Sequence, residues 1–296
     1  MAPLLLWLAT SAFSSTLPSD QMLAVGQAAA VAAGRHMLSN AGAAVQTTKL
    51  DARDLVTRVD GECQEIVEST IRSYFPGHTL LGEESVEPGW PAACAAAAAL
   101  GAAEWAWIID PIDGTTNFVS GMPLSVVSIG IANFGVPTGA VVYDPYREEL
   151  FSAWAGRGAT LNGSPISVSS SASLSRSVVC APCPHSAAAM GPALRSIHAA
   201  MPLVRSVRII GSGVLNLAWV ACGRLEAYWE HELAPWDTAA GVVLVREAGG
   251  TVTGTDGAAF ALTSRGALAS NTLVHGQLEQ MLWAAGATHC DEESAV

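Results

Sequence analysis

Apolar and polar positions alternate in a way that predicts two helices followed by a dense run of strands. Apolar residues recur at helical spacing from Gln21 to about Ala44, and a second helix, from about Asp60 to Tyr74, ends at Pro76-Gly77. Four strand-like runs follow with turn residues between them, at 105–110, 124–133, 137–145 and 149–156. Short connections between consecutive strands imply antiparallel pairing, so the pattern predicts an α+β layered protein.

The second half of the chain mixes strands and helices. Strands are expected in "SVVCAP", "VRSVRIIG" and "LEAYWE", and helices near 187–200, 212–222, 238–248 and 276–285. The glycines of "GRGATLNG", at 156–163, favour a boundary between two halves. The predicted division is an N-terminal α+β half at 21–156, a C-terminal α/β half at 157–286, and an acidic tail at 287–296.

The first twenty residues contain an apolar run from Ala2 to Phe13 and no Lys or Arg before Arg35. The run is too short to span a bilayer. It resembles the h-region of a signal peptide without a charged n-region, and the "SAF" step resembles the leader junction of proteins sent to algal secondary plastids. Residues 1–20 are either a cleaved leader or a plain extension. The localisation is cytoplasmic by default, with a plastid or secretory destination open.

Composition narrows the range of functions. Half of the 296 residues are hydrophobic and 14% are charged, so most of the chain must lie in packed layers. Asp and Glu outnumber Lys and Arg by 26 to 14, the formal net charge is -12, and no basic run occurs. Binding to nucleic acid is therefore disfavoured, and no membrane partner is expected.

The stretch "DPIDGTTNF", at 110–118, concentrates the candidate chemistry. Pro111 disfavours helix at the residue before it, so the preceding strand is expected to stop at Asp110. Asp113 is a natural N-cap for a helix that begins at Gly114, with unpaired backbone N–H groups just beyond it. Such a helix start binds anions.

Two carboxylates beside an anion site repel each other and the anion, by about 4 kcal/mol per contact at ~4 Å and an effective dielectric constant of ~20. A cation removes the conflict, and hard oxygen ligands near a phosphate favour Mg²⁺. The alternative is a capped surface turn, in which Asp-Gly and Asp-Pro are common. Further acids lie at element ends and indicate one shared site: Asp60, Glu83, Glu84 and Asp237.

From Gln21 to Gly286 the chain resembles the inositol monophosphatase family of Mg²⁺-dependent, lithium-sensitive phosphatases. The resemblance is carried by acid-Pro-Ile-Asp-Gly-Thr-Thr-Asn-Phe at 110–118, by Trp-Asp-x-Ala-Ala-Gly at 236–241 and by Glu-Ala-Gly-Gly at 247–250. It implies a layered αβαβα sandwich of the inositol monophosphatase and sugar phosphatase type. It also implies a homodimer.

The resemblance implies two or three Mg²⁺ ions as cofactor. One metal would be held by Glu83, Asp110 and the backbone carbonyl of Ile112. The second would be held by Asp110, Asp113 and Asp237. A third, weaker ion would again use Glu83, largely through water. The loop "KLDARDLVTRVD" departs from the short Gly- or Pro-containing loop of the family and leaves the lithium response open.

The resemblance also assigns substrate and catalytic roles. Backbone N–H groups of Gly114 and Thr115 would bind phosphate, and Gly213 and Glu230 would contact the alcohol part of the substrate. The remaining substrate contacts would come from Asp113 and Asp237. Catalysis would rest on Glu83, Thr115 and Asp60, with Thr115 and Asp60 orienting the attacking water.

The implied reaction is hydrolysis of a phosphate monoester by direct attack of metal-activated water. Glu230 favours myo-inositol monophosphate as the substrate, whereas "YWEHELAPWD" resembles a branch in which histidinol phosphate is an alternative. Other small phosphomonoesters remain open, and outside the enzyme class the alternative is a non-catalytic regulatory relative. His231 and Glu232 are expected on a polar rim near the substrate mouth.

Overall fold

The computed structural model describes residues 18–41, 45–48 and 55–291, with side chains for all of these except 45–48. Nearly all of the segment 1–20, expected to be either a leader or a plain extension, lies outside the described residues. The same holds for the loop residues Lys49, Asp51 and Arg53 and for the acidic tail beyond Asp291.

The described residues form eight α-helices. These are α1 Pro18–Ser39, α2 Arg58–Tyr74, α3 Trp90–Ala99, α4 Thr115–Val119, α5 Ala187–Ala200, α6 Gly213–Ala221, α7 Pro235–Glu247 and α8 His275–Ala284. The predicted helices at 60–74, 187–200, 212–222 and 276–285 are confirmed to within two residues. None of the helices in the described part of the chain is both long enough and apolar enough to cross a membrane.

The strands are short and numerous. They are β1 Val45–Thr48, β2 Leu55–Thr57, β3 Thr79–Gly82, β4 Trp105–Asp113, β5 Val126–Asn133, β6 Val136–Asp144, β7 Glu149–Trp154, β8 Ala159–Leu161, β9 Ser164–Ile166, β10 Val178–Cys180, β11 Ser206–Arg208, β12 Ala227–Glu230, β13 Thr251–Thr253 and β14 Ala267–Ser270. The sequence pattern missed six strands of three or four residues each, which are β1, β2, β8, β9, β13 and β14.

Most of the strands belong to two sheets. A seven-stranded sheet runs in chain order from β3 to β9 and is antiparallel except for the parallel pair β3–β4. A five-stranded sheet has the order β11-β10-β12-β14-β13. The first sheet continues past Gly156 through β8 and β9, and the second begins with β10. The division of the chain at 156/157 stays a prediction.

The helices and sheets form five layers. Helices α1 and α2 pack on the outer face of the seven-stranded sheet, and α7 packs on its other face while also contacting β13. Helix α6 lies beside α7 and contacts β12 and β14, whereas α8 packs on the far side of β14 with α5 beside it. This arrangement confirms the α+β class that the sequence pattern predicted and the αβαβα sandwich that the family resemblance implied.

Successive side chains of β4 point to opposite faces of the sheet, so this one strand contributes to the core on both sides. Trp107 and Ile109 are buried with residues of α1 and α2, whereas Ala106 and Ile108 are buried with Trp236 of α7. Because both faces of the strand are covered, its sequence is an almost continuous apolar run. The run brings the polar residues at its end into the interior.

Candidate metal and phosphate site

Strand β4 continues to Asp113, so the expectation that it stops at Asp110 is wrong. Asp110 pairs with Ser128 and Asp113 with Val126, so three steps along β4 match two along β5. The register shift is a β-bulge, where proline is tolerated although it has no N–H group to donate. Residues three apart in a regular strand point to opposite faces, and the extra residue of the bulge lets Asp110 and Asp113 point to the same side.

Asp113 does not cap α4, contrary to expectation, but instead binds the N-terminus of α6. Its carboxylate accepts hydrogen bonds from the Ser212 hydroxyl and from the backbone N–H groups of Gly213 at 3.1 Å and Val214 at 3.0 Å. Burial raises the pKa of Asp113 to about 6, although these donors oppose the rise. The carboxylate is therefore positioned by a helix that lies a hundred residues further along the chain.

Gly114 takes the N-cap position of α4 in a left-handed conformation, with φ +87°. A Cβ atom there would lie 2.8 Å from the carbonyl oxygen of Leu124 and 3.2 Å from the Cβ of Ser212. Only glycine satisfies both the backbone angle and the close approach. This tight turn joins the end of β4, at Asp113, to the start of α4, at Thr115.

Asp237 reaches the site from the first turn of α7. Its carboxylate accepts the backbone N–H of Ala234 at 2.7 Å, and Pro235 occupies the first helical position, where an N–H would have no helical partner. One carboxylate oxygen from each of Asp110, Asp113 and Asp237 lies within 4.8 Å of the others. Three buried or half-buried carboxylates at such separations form a site that can hold a metal ion.

Glu83 approaches the same edge from β3. The parallel register pairs Gly82 with Ile109, so Glu83 follows beside Asp110 at the end of the neighbouring strand. It begins the short 3₁₀ turn Glu83–Ser85, and its side chain is half-buried. It lies next to the three-carboxylate group rather than within it, and its role as a ligand stays a prediction.

The Ile112 carbonyl and Thr115 are directly linked. The Thr115 hydroxyl lies 3.0 Å from the Ile112 carbonyl oxygen and 3.3 Å from an oxygen of Asp60. A carbonyl oxygen has two lone pairs, so that of Ile112 can accept this hydrogen bond and still bind a cation. The predicted position of the Ile112 carbonyl as a metal ligand is compatible with this contact.

Asp60 is buried at the start of α2 and is part of a capping box. Its second oxygen accepts the backbone N–H of Thr57 at 2.8 Å and the Thr57 hydroxyl at 2.6 Å. The first oxygen therefore faces Thr115 in a fixed orientation. The structure thus brings Thr115 and Asp60 together, while their catalytic role stays a prediction.

Gly213 and Glu230, expected to contact the substrate, have protein partners. The backbone N–H of Gly213 donates to Asp113 as described. Glu230, at the end of β12, is 5% exposed and accepts the backbone N–H groups of Cys183 at 2.8 Å and His231 at 3.0 Å. Burial raises the pKa of Glu230 to about 7. A substrate contact of either residue stays a prediction.

The expectation that His231 lies on a polar rim is wrong, because its side chain is 2% exposed. Its Nε2 lies 2.9 Å from the carbonyl oxygen of Ala287, and burial lowers the pKa of the ring to about 4. The ring is therefore neutral near pH 7 and donates Nε2–H to that carbonyl. It anchors the chain near Ala287.

Two residues of the site were missed by the sequence analysis. The Asn117 side chain donates to the carbonyl oxygens of Leu124 at 2.9 Å and Ile210 at 2.8 Å, which ties α4 to the loop before α6. Ser212 donates to Asp113 from that same loop. Asn117 lies inside the "DPIDGTTNF" stretch and could have been suspected, whereas nothing local to Ser212 indicates a partner 99 residues away.

Comparison with known proteins shows the family and the fold of the chain. The model of the family described as "Inositol monophosphatase family" matches residues 19–289. An inositol-1-monophosphatase of Synechocystis is 39% identical over 277 residues, with 90% of each chain covered. The solved structure of extragenic suppressor protein suhB from Bartonella henselae is similar with a TM-score of 0.80 at 32% identity, covering 88% of this chain and 98% of the other.

A third similar chain, named SaIMPase-II, was solved with 2'AMP bound. Its TM-score is 0.73 at 27% identity, covering 92% of this chain and 98% of the other. The family model and the Synechocystis relative each span nearly all of the described fold. The chain belongs to the inositol monophosphatase family, and it is a hydrolase of the phosphatase type.

Proposed function

We propose that this protein hydrolyses a small phosphate monoester in a Mg²⁺-dependent reaction, and that the substrate is myo-inositol monophosphate. The observation that carries the proposal is the group formed by Asp110, Asp113 and Asp237, whose oxygens lie within 4.8 Å of one another beside the turn at Gly114. Carboxylates that close repel one another unless a cation lies between them. An all-oxygen donor set suits Mg²⁺.

The chain offers ligands for two ions. One would be held by Glu83, Asp110 and the Ile112 carbonyl, and the other by Asp110, Asp113 and Asp237. A third ion would again use Glu83. Bound Mg²⁺ supplies Lewis-acid stabilisation of developing negative charge and lowers the pKa of coordinated water. The bonds from α6 to Asp113 and from Ala234 to Asp237 hold two of the ligands in place before any ion binds.

Thr115 and Asp60 are proposed to orient the attacking water. The hydroxyl of Thr115 has one proton, and Asp60, fixed by Thr57, can accept it in place of the Ile112 carbonyl and direct it away from the reaction centre. The Thr115 oxygen is then free to accept a hydrogen bond from the water. Backbone N–H groups of Gly114 and Thr115 are proposed to bind the phosphate that is attacked.

The alcohol part of the substrate is proposed to lie towards Gly213 and Glu230. Asp113 and Asp237 would complete the contacts on this side of the site. A carboxylate that accepts hydrogen bonds from polyol hydroxyls favours an inositol phosphate, and the chain solved with 2'AMP supports a small phosphorylated substrate. Inhibition by lithium and a homodimeric state are proposed on the family resemblance alone.

A substrate panel tests the proposal. Phosphate release is measured with Mg²⁺ for myo-inositol monophosphate, histidinol phosphate, fructose bisphosphate and an adenosine bisphosphate, in the wild type and in Asp110→Asn. We expect the highest kcat/KM on the inositol ester and a large loss in the variant. A higher kcat/KM on histidinol phosphate would replace the proposed substrate. Equal, negligible rates of phosphate release in the wild type and in Asp110→Asn would exclude phosphatase activity and favour a non-catalytic role.

A further inference from the structure

Gln64 lies where α2 meets the 3₁₀ turn that begins with Glu83. Its side chain is 7% exposed. The amide oxygen accepts the backbone N–H of Glu84 at 2.9 Å, and the amide nitrogen donates to the Ser85 hydroxyl at 2.8 Å and to a Glu68 oxygen at 3.0 Å. Because the oxygen and the amide group are all engaged, the side chain is held in one orientation.

The Gln64 amide also packs against the residue before Glu83. A Cβ atom at Gly82 would lie 2.3 Å from Cδ of Gln64 and 2.4 Å from its Oε1, so glycine is required for this contact. Gln64 therefore contacts the chain on both sides of Glu83, at Gly82 and at Glu84. The turn itself is closed by the hydrogen bond from the Val86 N–H to the Glu83 carbonyl, at 3.2 Å. Such 3₁₀ hydrogen bonds have poor geometry, so the bonds from Gln64 add to the rigidity of the turn.

Gln64 shares a helix face with Asp60. The two residues are four apart on α2, which places their side chains next to each other. Further along α2, Val67 and Ile71 are fully buried in the core below the seven-stranded sheet. The same rigid helix thus fixes Asp60 beside Thr115 and, one turn later, the segment that carries Glu83.

We propose that Gln64 is a positioning residue that sets the place of the Glu83 carboxylate relative to Asp110. The catalytic part of this inference rests on the proposed function, whereas its effect on metal binding does not require turnover. Contacts that orient metal ligands are worth about 10- to 100-fold in metal affinity or activity. A loss in that range is expected when the Gln64 amide is removed.

The experiment compares Gln64→Ala with the wild type by calorimetric titration with Mg²⁺ and by steady-state phosphate release. We expect Mg²⁺ affinity to fall by about 10- to 100-fold and kcat to fall at subsaturating Mg²⁺, while KM for the ester changes less. Gln27→Ala is the matched control, since the Gln27 amide also links a helix to a hydroxyl, that of Ser152 at 3.1 Å, on a strand away from Glu83. Its Mg²⁺ affinity is expected to equal that of the wild type.

Three results would overturn the proposal. They are unchanged Mg²⁺ affinity in Gln64→Ala, an equal loss in Gln27→Ala, and, if thermal unfolding shows that Gln64→Ala is not folded, unchanged affinity in Ser85→Ala. Ser85 is exposed, so that substitution removes one Gln64 partner without disturbing the core. A wild type that binds Mg²⁺ but releases no phosphate would refute the proposed function and leave the titration as a test of Gln64.

Discussion

Acidic residues lie close together at two strand ends of this protein, and the groups that surround their carboxylates differ between the two. At the end of β4, Asp110 and Asp113 join Asp237 in a group whose oxygens lie within 4.8 Å. At the end of β12, Glu230 is buried with its pKa raised to about 7, and Glu232 binds the Arg265 guanidinium through Nε at 2.8 Å. The second pair combines a carboxyl group whose pKa is raised by burial with an ion pair to an arginine, whereas the first is a group of carboxylates that can hold a metal ion. Acidic residues that lie close together therefore do not identify a metal site unless the groups that bind their carboxylates are also known.

The largest expected effect comes from replacing an acid of the first group. Asp237→Asn keeps an oxygen for the Ala234 N–H but removes a charge from the group. We expect phosphate release to fall by roughly 10³-fold, or about 4 kcal/mol of transition-state stabilisation. Glu232→Gln, at the other strand end, is expected to stay within about twofold, since its ion pair is partly exposed. Similar losses in the two variants, measured as kcat/KM, would remove the distinction.

The pH dependence of stability tests the raised pKa of Glu230. Its pKa rises from 4.5 in the unfolded chain to about 7, so folding favours the protonated form. The contribution is fully present below pH 4.5 and is lost as the pH rises through about 7, on the order of 3 kcal/mol. His231 has the opposite sign, since its lowered pKa costs stability as the pH falls from 6.5 towards 4.

Urea unfolding of the wild type and of Glu230→Gln, between pH 4 and pH 8, isolates this contribution because the His231 effect is common to both proteins. The wild type is expected to lose stability relative to the variant across that range. Parallel curves would show that Glu230 keeps its ordinary pKa in the fold.

Metal addition tests the carboxylate group at the end of β4. A ligand that binds only the folded state stabilises it by about 2.7 kcal/mol at a free concentration of roughly 100 times its dissociation constant. We expect Mg²⁺ to raise the unfolding temperature of the wild type and EDTA to reverse the rise. The same addition to Asp237→Asn should produce a much smaller shift, and an equal shift would place the ion elsewhere.

The smallest effect is expected at the arginine. Side chains of Arg265 and Glu232 are 33% and 24% exposed, so solvent screens the pair. Arg265→Ala is expected to lower the free energy of unfolding by only about 0.2–1 kcal/mol. If chemical denaturation shows a loss above about 2 kcal/mol, Glu232 behaves as a buried charge that needs Arg265 as its partner.

Local patterns were enough for those parts of the site whose contacts are close in sequence. Asp60 lies three residues after Thr57, and the N-cap arrangement can be predicted from that spacing. Asp237 similarly follows Ala234 and Pro235 at a helix start. In contrast, the helix cap expected of Asp113 goes to a helix far away in sequence, because the bulge at Pro111 turns the strand end towards α6.

The sequence by itself determined the α+β class, most helices, the acids of the site and the family, because periodicity, turn residues and long motifs are local properties of the chain. The tertiary structure alone decided which acids share a group, that Ser212 and α6 hold Asp113, that Gln64 holds the turn at Glu83, and that His231 is buried. These depend on strand register and on helices packed between two sheets. A shift of one residue in a strand reverses the side to which every later side chain points, and such a shift cannot be read from local spacing.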